Sequence, residues 1–489
     1  MSLGKDLSTK MLVRDRPSGR SPRSIAQLGF YTKTVYNARA PDIRIRIERT
    51  MALPKRHRSF LSLALPNVAA NLVVPLASLI DVAVLGNLDD LSPLAGVALA
   101  AIIFDILYLT LNFLRIGTTG LTAIAEGAND KDAISAVFFR SFAMAMVAGL
   151  LLIALQGFYR EPALGFLVED ESIYASALAY FSARILGAPA ALGNFVITGW
   201  LLGRHKPKAI LLLTLVLSAV NIVGDWLFVW QWGMGARGAG LATMISQYLA
   251  FFLGLALVRY FWRDLPGFKI GWLLGGFRPL LQLQANIMVR TFCLTTTFSA
   301  FTYISGQMGA VILAANTVLE RILYSSAWLI DGYAFALEAL SGRFWGAGKE
   351  SEVRNYFKTA MIWNLGTVFV LVLVFILFGK PLIGLLIADE GASALAISWI
   401  PWLCIILCFS GFAYILDGLY IGLAAGRILR QAMLASTLIG FWPLAIWALN
   451  DKNPQILWAA MLGFMICRTI ALGRNVAKPL LGAPPPIKQ

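Results

Sequence analysis

Long apolar stretches separated by short polar loops follow one another along most of the chain. Each stretch is close to the ~20 residues that an α-helix needs to cross a bilayer, and a helix satisfies its backbone hydrogen bonds internally. The pattern predicts an all-α polytopic membrane protein with twelve transmembrane helices. The predicted segments are residues 60–85, 96–124, 136–157, 175–202, 209–230, 238–262, 281–305, 314–341, 358–379, 397–424, 432–449 and 455–473.

The loops between these segments differ in charge. One alternating set holds most of the basic residues, among them Lys55, Arg204 and Arg343. The other set holds only four, which are Arg160, Arg237, Lys380 and Lys452. Because basic loops stay on the cytoplasmic side, both termini are predicted to be cytoplasmic.

Composition agrees with a membrane protein. The chain is 58% hydrophobic and 14% charged, and its mean hydropathy of +0.72 is too high for a soluble protein of this length. The net charge of +15 is explained by basic loops, without the aromatic-interleaved basic patch of a nucleic-acid binder. The four cysteines lie in apolar runs and there are only two histidines, which argues against disulfides and zinc. We expect no cofactor and no nucleic acid partner.

The first fifty residues do not resemble the rest, because they are rich in Arg and Ser and lack a long apolar run. We interpret residues 1–50 as a basic, disordered or transit-like extension. The predicted domains are then an N-terminal lobe (51–264, helices 1–6), a cytoplasmic linker (265–280), a C-terminal lobe (281–478, helices 7–12) and a tail (479–489). A transit peptide would indicate an organelle membrane; otherwise we expect the bacterial inner membrane.

The sequence also repeats itself. Gly127 in EGAND aligns with Gly346 in WGAGK at an offset of 219 residues, and a later stretch, NFVITGWLLGR from Asn194, aligns with DGLYIGLAAGR from Asp417 at an offset of 223. We interpret the shift of four as one loop insertion. Since six helices separate the copies, the halves are predicted to be parallel repeats, two pseudo-symmetric six-helix bundles of the kind that transporters use.

Three polar side chains interrupt the apolar segments of the first half: Asn194, Asn221 and Asp225. Asn221 and Asp225 are four apart and therefore share a helix face. Because such groups are costly at bilayer depth, they are predicted to face a cavity and to mark an ion or substrate route. In the 223-residue frame, the counterparts of Asn221 and Asp225 are Leu444 and Ala448, so the first half is the favoured coupling site.

Several motifs resemble the multidrug and toxic compound extrusion (MATE) transporters, in particular the DinF-like branch. They include PLASLIDVAVLGNL, FLRIGTTGLTAIAEGA, NIVGDWLFVW, DGYAFALEALSGRFWGAGK and ILDGLYIGLAAGRILRQAM, and the resemblance runs from Leu61 to Arg474. It implies xenobiotic transmembrane transport by an efflux antiporter with two six-helix lobes. Such a protein would exchange H⁺ or Na⁺ for amphipathic, often cationic, organic compounds.

The resemblance also implies a cation or proton coupling site formed by Asp81, Asn194, Asn221, Asp225 and Thr243. Two neighbouring carboxyl groups can hold and release a proton near neutral pH. The same oxygens, with two amides and a hydroxyl, could instead ligate a bare Na⁺. The sequence leaves both ions open.

A second coupling or substrate site is predicted at Asp417, Glu338 and Asp331. Asp417 is aligned with Asn194, and the resemblance implies that related branches couple through a carboxylate there. Glu338 and Asp331 lie seven residues apart and could face one cavity, where they would contact a cationic substrate.

Two other functions were compared with the antiporter. A lipid or polyprenyl-linked flippase would need an Arg-lined central cavity, for which Arg115, Arg290 and Arg321 are candidates. A membrane-embedded transferase would need paired Asp-rich motifs, but the single LDD motif lies on the predicted non-cytoplasmic face. We therefore expect a monomeric transporter in a lipid bilayer with a small organic substrate, and not an enzyme.

Overall fold

The computed structural model describes residues 53–86, 92–168, 170–387 and 389–476, except the side chains of residues 78, 79, 81, 82, 274 and 475. The predicted extension and tail, residues 1–50 and 479–489, lie outside these ranges. The residues up to Lys55 form a unit of their own, and the helical transporter body is the second unit, which begins at Arg56. All regular structure in the described ranges is helical.

The helices are numbered in chain order. They are α1 (Lys55–Gly86), α2 (Ser92–Leu111), α3 (Phe113–Gly127), α4 (Lys131–Ala154), α5 (Gln156–Leu167), α6 (Glu171–Arg184), α7 (Ala188–Gly203), α8 (Pro207–Asp225), α9 (Gly235–Phe261), α10 (Gly271–Leu274), α11 (Phe277–Gln307), α12 (Ala310–Gly346), α13 (Glu350–Leu386), α14 (Glu390–Ser398), α15 (Ile400–Gly422), α16 (Gly426–Ala435), α17 (Trp442–Asp451) and α18 (Pro454–Val476). A 3₁₀ turn, Ile185–Gly187, joins α6 to α7. π-helical turns follow α8 (Trp226–Gln231) and α16 (Ser436–Phe441).

The predicted membrane segments coincide with long helices or with pairs of helices that follow each other directly. Among the described residues, ten helical stretches have the length and mean hydropathy of a membrane span. The other two predicted spans are α11 and α12, continuous helices of 31 and 37 residues. Polar and charged side chains lower their mean hydropathy, which indicates that these two helices carry polar chemistry of the second half.

The two halves of the fold repeat at a constant offset of 219 residues. The same offset separates the starts of α4 and α13, of α6 and α14, of α8 and α16, and of α9 and α18. It also separates backbone positions of positive φ, which are Asn129 and Gly348, His205 and Ala424, and Gly233 and Lys452. The offset likewise relates Asp170 to Asp389, whose side chains cap the starts of α6 and α14.

This register corrects the predicted four-residue insertion. Gly199 of α7 and Gly418 of α15 pack against equivalent carbonyl oxygens, those of Arg115 and Ala334, because a Cβ would lie 2.5 and 2.6 Å from them. The positions are again 219 apart. The glycines fix the register because they meet backbone, whereas the shared GR letters that suggested 223 lie at the helix ends.

Three equivalences change as a result. The counterpart of Asn194 is Ala413, and Asp417 instead corresponds to Thr198. The counterparts of Asn221 and Asp225 become Gly440 and Leu444. The second half therefore carries none of these three polar side chains at equivalent positions.

The halves meet closely where α3 and α12 end. A Cβ on Gly127 would overlap the carbonyl group of Arg343, and a Cβ on Gly346 would overlap that of Ile124. These two contacts are reciprocal under the 219-residue offset. Only glycine allows the two backbones to come this close.

Candidate functional site

The first polar cluster lies at the end of α8. The Asn221 Nδ2 donates to Asp225 Oδ2 at 3.1 Å, one helical turn away. Asp225 is 2% exposed and Asn221 8% exposed, so the pair is enclosed by protein. Directly after Asp225, the helix widens into the π-helical turn Trp226–Gln231, an irregularity that is frequent at functional sites.

Helix α9 brings a hydroxyl near this pair. A Cβ on Gly224 would lie 2.8 Å from the Ala242 Cβ, so α8 and α9 touch one residue before Asp225 and one residue before Thr243. The Thr243 Oγ1 donates to the Ala239 carbonyl at 3.0 Å, within its own helix. Its lone pairs remain suited to accept a proton donor or to ligate a cation.

Asn194 of α7 is held by α9 rather than by α8. Its Nδ2 donates to both the backbone O and the Oε1 of Gln247, at 3.0 Å each. Its Oδ1 is buried without a hydrogen-bond partner among the described residues. Asn194 and Gln247 line a cavity of about 360 Å³ together with Asn71, Asn112 and Arg115. Asn194 therefore presents an acceptor oxygen within a polar cavity.

Asp81 is the fifth predicted member of this site. It lies in α1, but its side chain is outside the described residues. The structure thus places Asn221, Asp225 and Thr243 along one helix contact and Asn194 in an adjacent cavity.

The second half holds a different polar cluster around Asp417 of α15. The Asp417 Oδ2 accepts from Arg290 of α11 and from Arg468 of α18. Asp417 is 3% exposed and Arg468 fully buried. Two guanidinium groups therefore already neutralise this carboxylate, which leaves little electrostatic reason for a further cation to bind. The sequence analysis missed Arg468, although a lone Arg in the apolar run FMICRTIAL is a signal of such pairing.

The other two candidates of the second site lie in α12. Glu338 is fully buried, next to the contact with α3, with Arg115 and Asp331 as electrostatic neighbours. Asp331 is half-buried and has Arg290 and Arg115 as neighbours. Neither residue lines the 360 Å³ cavity or a second, larger cavity of about 680 Å³. Their surroundings are those of a buried charge network.

The larger cavity lies between the halves, and we name it the inter-half chamber. It measures about 680 Å³ and is lined mainly by α2 and α12, with contributions from α7 and α11. Its charged residues are Asp105, Glu320 and Arg321, and its aromatic walls are Tyr108, Phe195, Tyr324 and Trp328. Glu320 was not a sequence candidate, because an adjacent Glu and Arg in an apolar helix resemble a structural ion pair.

The loop between α7 and α8 contains a histidine, His205. Both of its ring nitrogens are buried without a hydrogen-bond partner among the described residues. Burial, and then the nearby Arg343, lower the pKa of His205 to about 4. The imidazole is therefore neutral at physiological pH and does not titrate where a proton-coupled transporter works.

Comparisons with known proteins identify the family. A family model described as MatE matches residues 66–227 and again residues 287–446. The chain belongs to the MatE family. DNA damage-inducible protein F of Escherichia coli (strain K12) is 34% identical over 432 residues, which cover 88% of this chain and 94% of that protein. This likeness confirms the predicted resemblance to the DinF-like branch.

More distant MatE relatives are also similar over most of their length. A probable multidrug resistance protein NorM from Synechococcus is 25% identical over 433 residues, covering 84% of this chain and 88% of that protein. The chloroplastic protein DETOXIFICATION 44 of Arabidopsis thaliana is 23% identical over 428 residues, covering 84% and 80%. The chain is thus a multi-pass transporter of a multidrug efflux family and not an enzyme.

Solved structures of MatE proteins have the same fold. An outward-facing multidrug resistance MATE transporter of the MOP superfamily superposes with a TM-score of 0.77 at 19% identity, covering 88% of this chain and 97% of that one. A MOP superfamily transporter from Pyrococcus furiosus Vc1 gives 0.74 at 19% identity, covering 86% and 94%. These likenesses confirm the fold of twelve transmembrane helices in two bundles.

Proposed function

We propose that the chain is a secondary antiporter that exports amphipathic, cationic organic compounds in exchange for H⁺ or Na⁺ by alternating access. The observation that carries this proposal is the buried Asn221 and Asp225 pair in a chain of the MatE family. A carboxylate enclosed by protein binds a proton or a bare cation more readily than one in water, because its hydration has been lost.

In the proposed mechanism, H⁺ or Na⁺ neutralises a site built from Asp225, Asn221, Asn194, Thr243 and Asp81. Neutralisation removes the need to keep the carboxylate among polar partners, so helices of the first half can repack. Coupling requires only that the ion and the organic substrate prefer different conformations. The inter-half chamber, with carboxylates and aromatic walls, suits a cationic amphipathic substrate.

We further propose a monomer in the bacterial inner membrane with both termini on the cytoplasmic side. The basic loop set supports this orientation, and the Escherichia coli relative supports the host membrane.

The lipid flippase receives partial support as a second candidate. Its three arginines do not share one of the cavities described: Arg115 lines the 360 Å³ cavity, Arg290 pairs with Asp417, and Arg321 lines the inter-half chamber. These three residues therefore do not form a ring around an anionic headgroup, although Arg321 is open to a ligand.

The direct test is efflux of a fluorescent organic cation from proteoliposomes. The parent and Asp225→Asn are compared under an imposed pH gradient and under an imposed Na⁺ gradient. Transport that follows one gradient and is lost in Asp225→Asn would support antiport and identify the ion. Folded parent protein that responds to neither gradient would exclude antiport of that dye.

A further inference from the structure

The inter-half chamber contains charged groups that no neighbouring side chain neutralises by direct contact. Asp105 and Arg321 are both exposed to it, and within the described ranges neither makes an ion pair or a side-chain hydrogen bond. Glu320 accepts one hydrogen bond, from Thr302 Oγ1 at 2.8 Å. Unpaired charges inside membrane helices are costly and usually serve a ligand or an ion route.

The same chamber has aromatic walls beside its carboxylates. Tyr324 and Trp328 follow Glu320 along one face of α12 and are 36% and 38% exposed. Tyr108 of α2 and Phe195 of α7 complete the lining. Aromatic faces next to carboxylates are the usual recognition elements for a substituted ammonium group.

An apolar groove adjoins the chamber along α12. It measures about 570 Å³ and is lined by Val318, Ile322 and Leu329 of α12, together with Leu72 of α1 and residues of α13 such as Leu371. Arg321 and Ser325, one turn apart, line both the chamber and the groove. They therefore mark the edge at which the polar and the apolar space meet.

The order of chemistry across this edge is acidic and aromatic, then cationic, then apolar. A zwitterionic phospholipid has the matching order, which is ammonium, then phosphate, then acyl chain. We propose that the chamber and groove together bind a single-chain zwitterionic lipid of the phosphocholine or phosphoethanolamine type. Asp105, Glu320 and the aromatic walls hold the ammonium, Arg321 holds the phosphate, and the groove holds the acyl chain.

The charges around the site agree with a zwitterion. Arg184, an electrostatic neighbour of Asp105, lies 4.4 Å from the centre of the Phe104 ring and is not part of the chamber lining. With Arg184 and Arg321 opposing Asp105 and Glu320, the protein charges balance when all four are ionised. A ligand of zero net charge leaves that balance intact, whereas a simple cation or anion would disturb it. This site does not depend on which ion drives transport or on whether antiport occurs.

The test is native mass spectrometry of the full-length protein released from maltoside micelles. It is titrated with lysophosphatidylcholine, with the lysophosphatidylglycerol of the same acyl chain, and with an alkyltrimethylammonium of the same chain length. We expect lysophosphatidylcholine to bind about tenfold more tightly than either of the other probes. Arg321→Gln is expected to remove its advantage over alkyltrimethylammonium, and Glu320→Gln its advantage over lysophosphatidylglycerol.

A second pair of variants tests the groove without changing charge. Leu371→Trp fills the groove and is expected to weaken lysophosphatidylcholine binding about tenfold. Val370→Trp, on an exposed position of α13 outside the groove, and Arg237→Gln, outside the chamber, are expected to bind like the parent. Tighter binding of lysophosphatidylglycerol by the parent would contradict the proposal. So would equal binding of all probes by the parent, Arg321→Gln and Leu371→Trp, since that result indicates annular lipid only.

Discussion

The two halves of the protein share one backbone plan but carry different chemistry. Helix starts, positive-φ turns and packing glycines repeat at 219 residues. In the first half, Asp225 accepts a hydrogen bond from the neutral amide of Asn221. In the second half, Asp417 accepts hydrogen bonds from two arginines. Their equivalents, Leu444 and Thr198, carry no charge.

This difference separates what holds the fold from what performs coupling. A carboxylate between two fixed guanidinium groups is neutralised permanently, so it stabilises one arrangement of helices. A carboxylate beside an amide can still exchange a proton or a cation, so it can favour one arrangement and then another. We therefore interpret the second-half cluster as structural and assign coupling to the first half.

The largest expected effect comes from removing the second-half carboxylate. Asp417→Ala leaves Arg290 and Arg468 buried without their acceptor, which is expected to lower the free energy of unfolding by about 3–5 kcal/mol. The matched control is Thr198→Ala at the equivalent position, where the hydroxyl donates only to carbonyls of its own helix. Thermal unfolding in detergent measures both. An Asp417→Ala protein as stable as Thr198→Ala would contradict the structural role.

The contact between α3 and α12 should respond alike from both sides. Gly127→Ala and Gly346→Ala each place a methyl group against a backbone carbonyl, and overpacking of this kind costs about 1–3 kcal/mol. Gly366→Ala in α13, where a Cβ meets nothing within 4 Å, is expected to be neutral or to stabilise by up to about 1 kcal/mol. Unequal effects at Gly127 and Gly346 would show that the halves are less symmetric than their backbones.

Removing the hydroxyl of Thr243 should affect coupling more than stability. Thr243→Ala loses one hydrogen bond within α9, worth about 0.6 kcal/mol. If the oxygen contributes to the site beside Asp225, the apparent affinity for the driving ion falls, whereas Thr243→Ser retains it. Transport measured against ion concentration distinguishes the two variants. Equal ion dependence in both would exclude Thr243 from the site.

The smallest expected effect concerns His205. Because its pKa is lowered to about 4, its protonation opposes folding, so its contribution to stability is complete above about pH 6.5 and declines as the pH falls towards 4. His205→Ala places in the first half the residue type that Ala424 supplies in the second. The pH profile of transport above pH 6.5 is expected to be unchanged, and the stability at acidic pH less sensitive to pH. A shifted transport profile would implicate the histidine.

The sequence was informative wherever local chemistry determines structure. Runs of apolar residues predicted the membrane helices, and the spacing of Gly127 and Gly346 gave the true repeat offset. The 223-residue alignment was wrong because letter identity at helix ends outweighed the glycines that contact backbone. The pairing of Asp417 with Arg468 and the lining of the inter-half chamber depend on helices far apart in sequence, which no local pattern reveals.

The most direct test of the central claim is to separate coupling from substrate movement in one preparation. Asp225→Asn and Asp417→Asn, each shown to be folded, are reconstituted and compared in gradient-driven uptake and in gradient-free counterflow of an organic cation. We predict that Asp225→Asn keeps counterflow but loses the response to the gradient, whereas folded Asp417→Asn keeps both. The opposite assignment, with the gradient response lost only in Asp417→Asn, would contradict coupling in the first half.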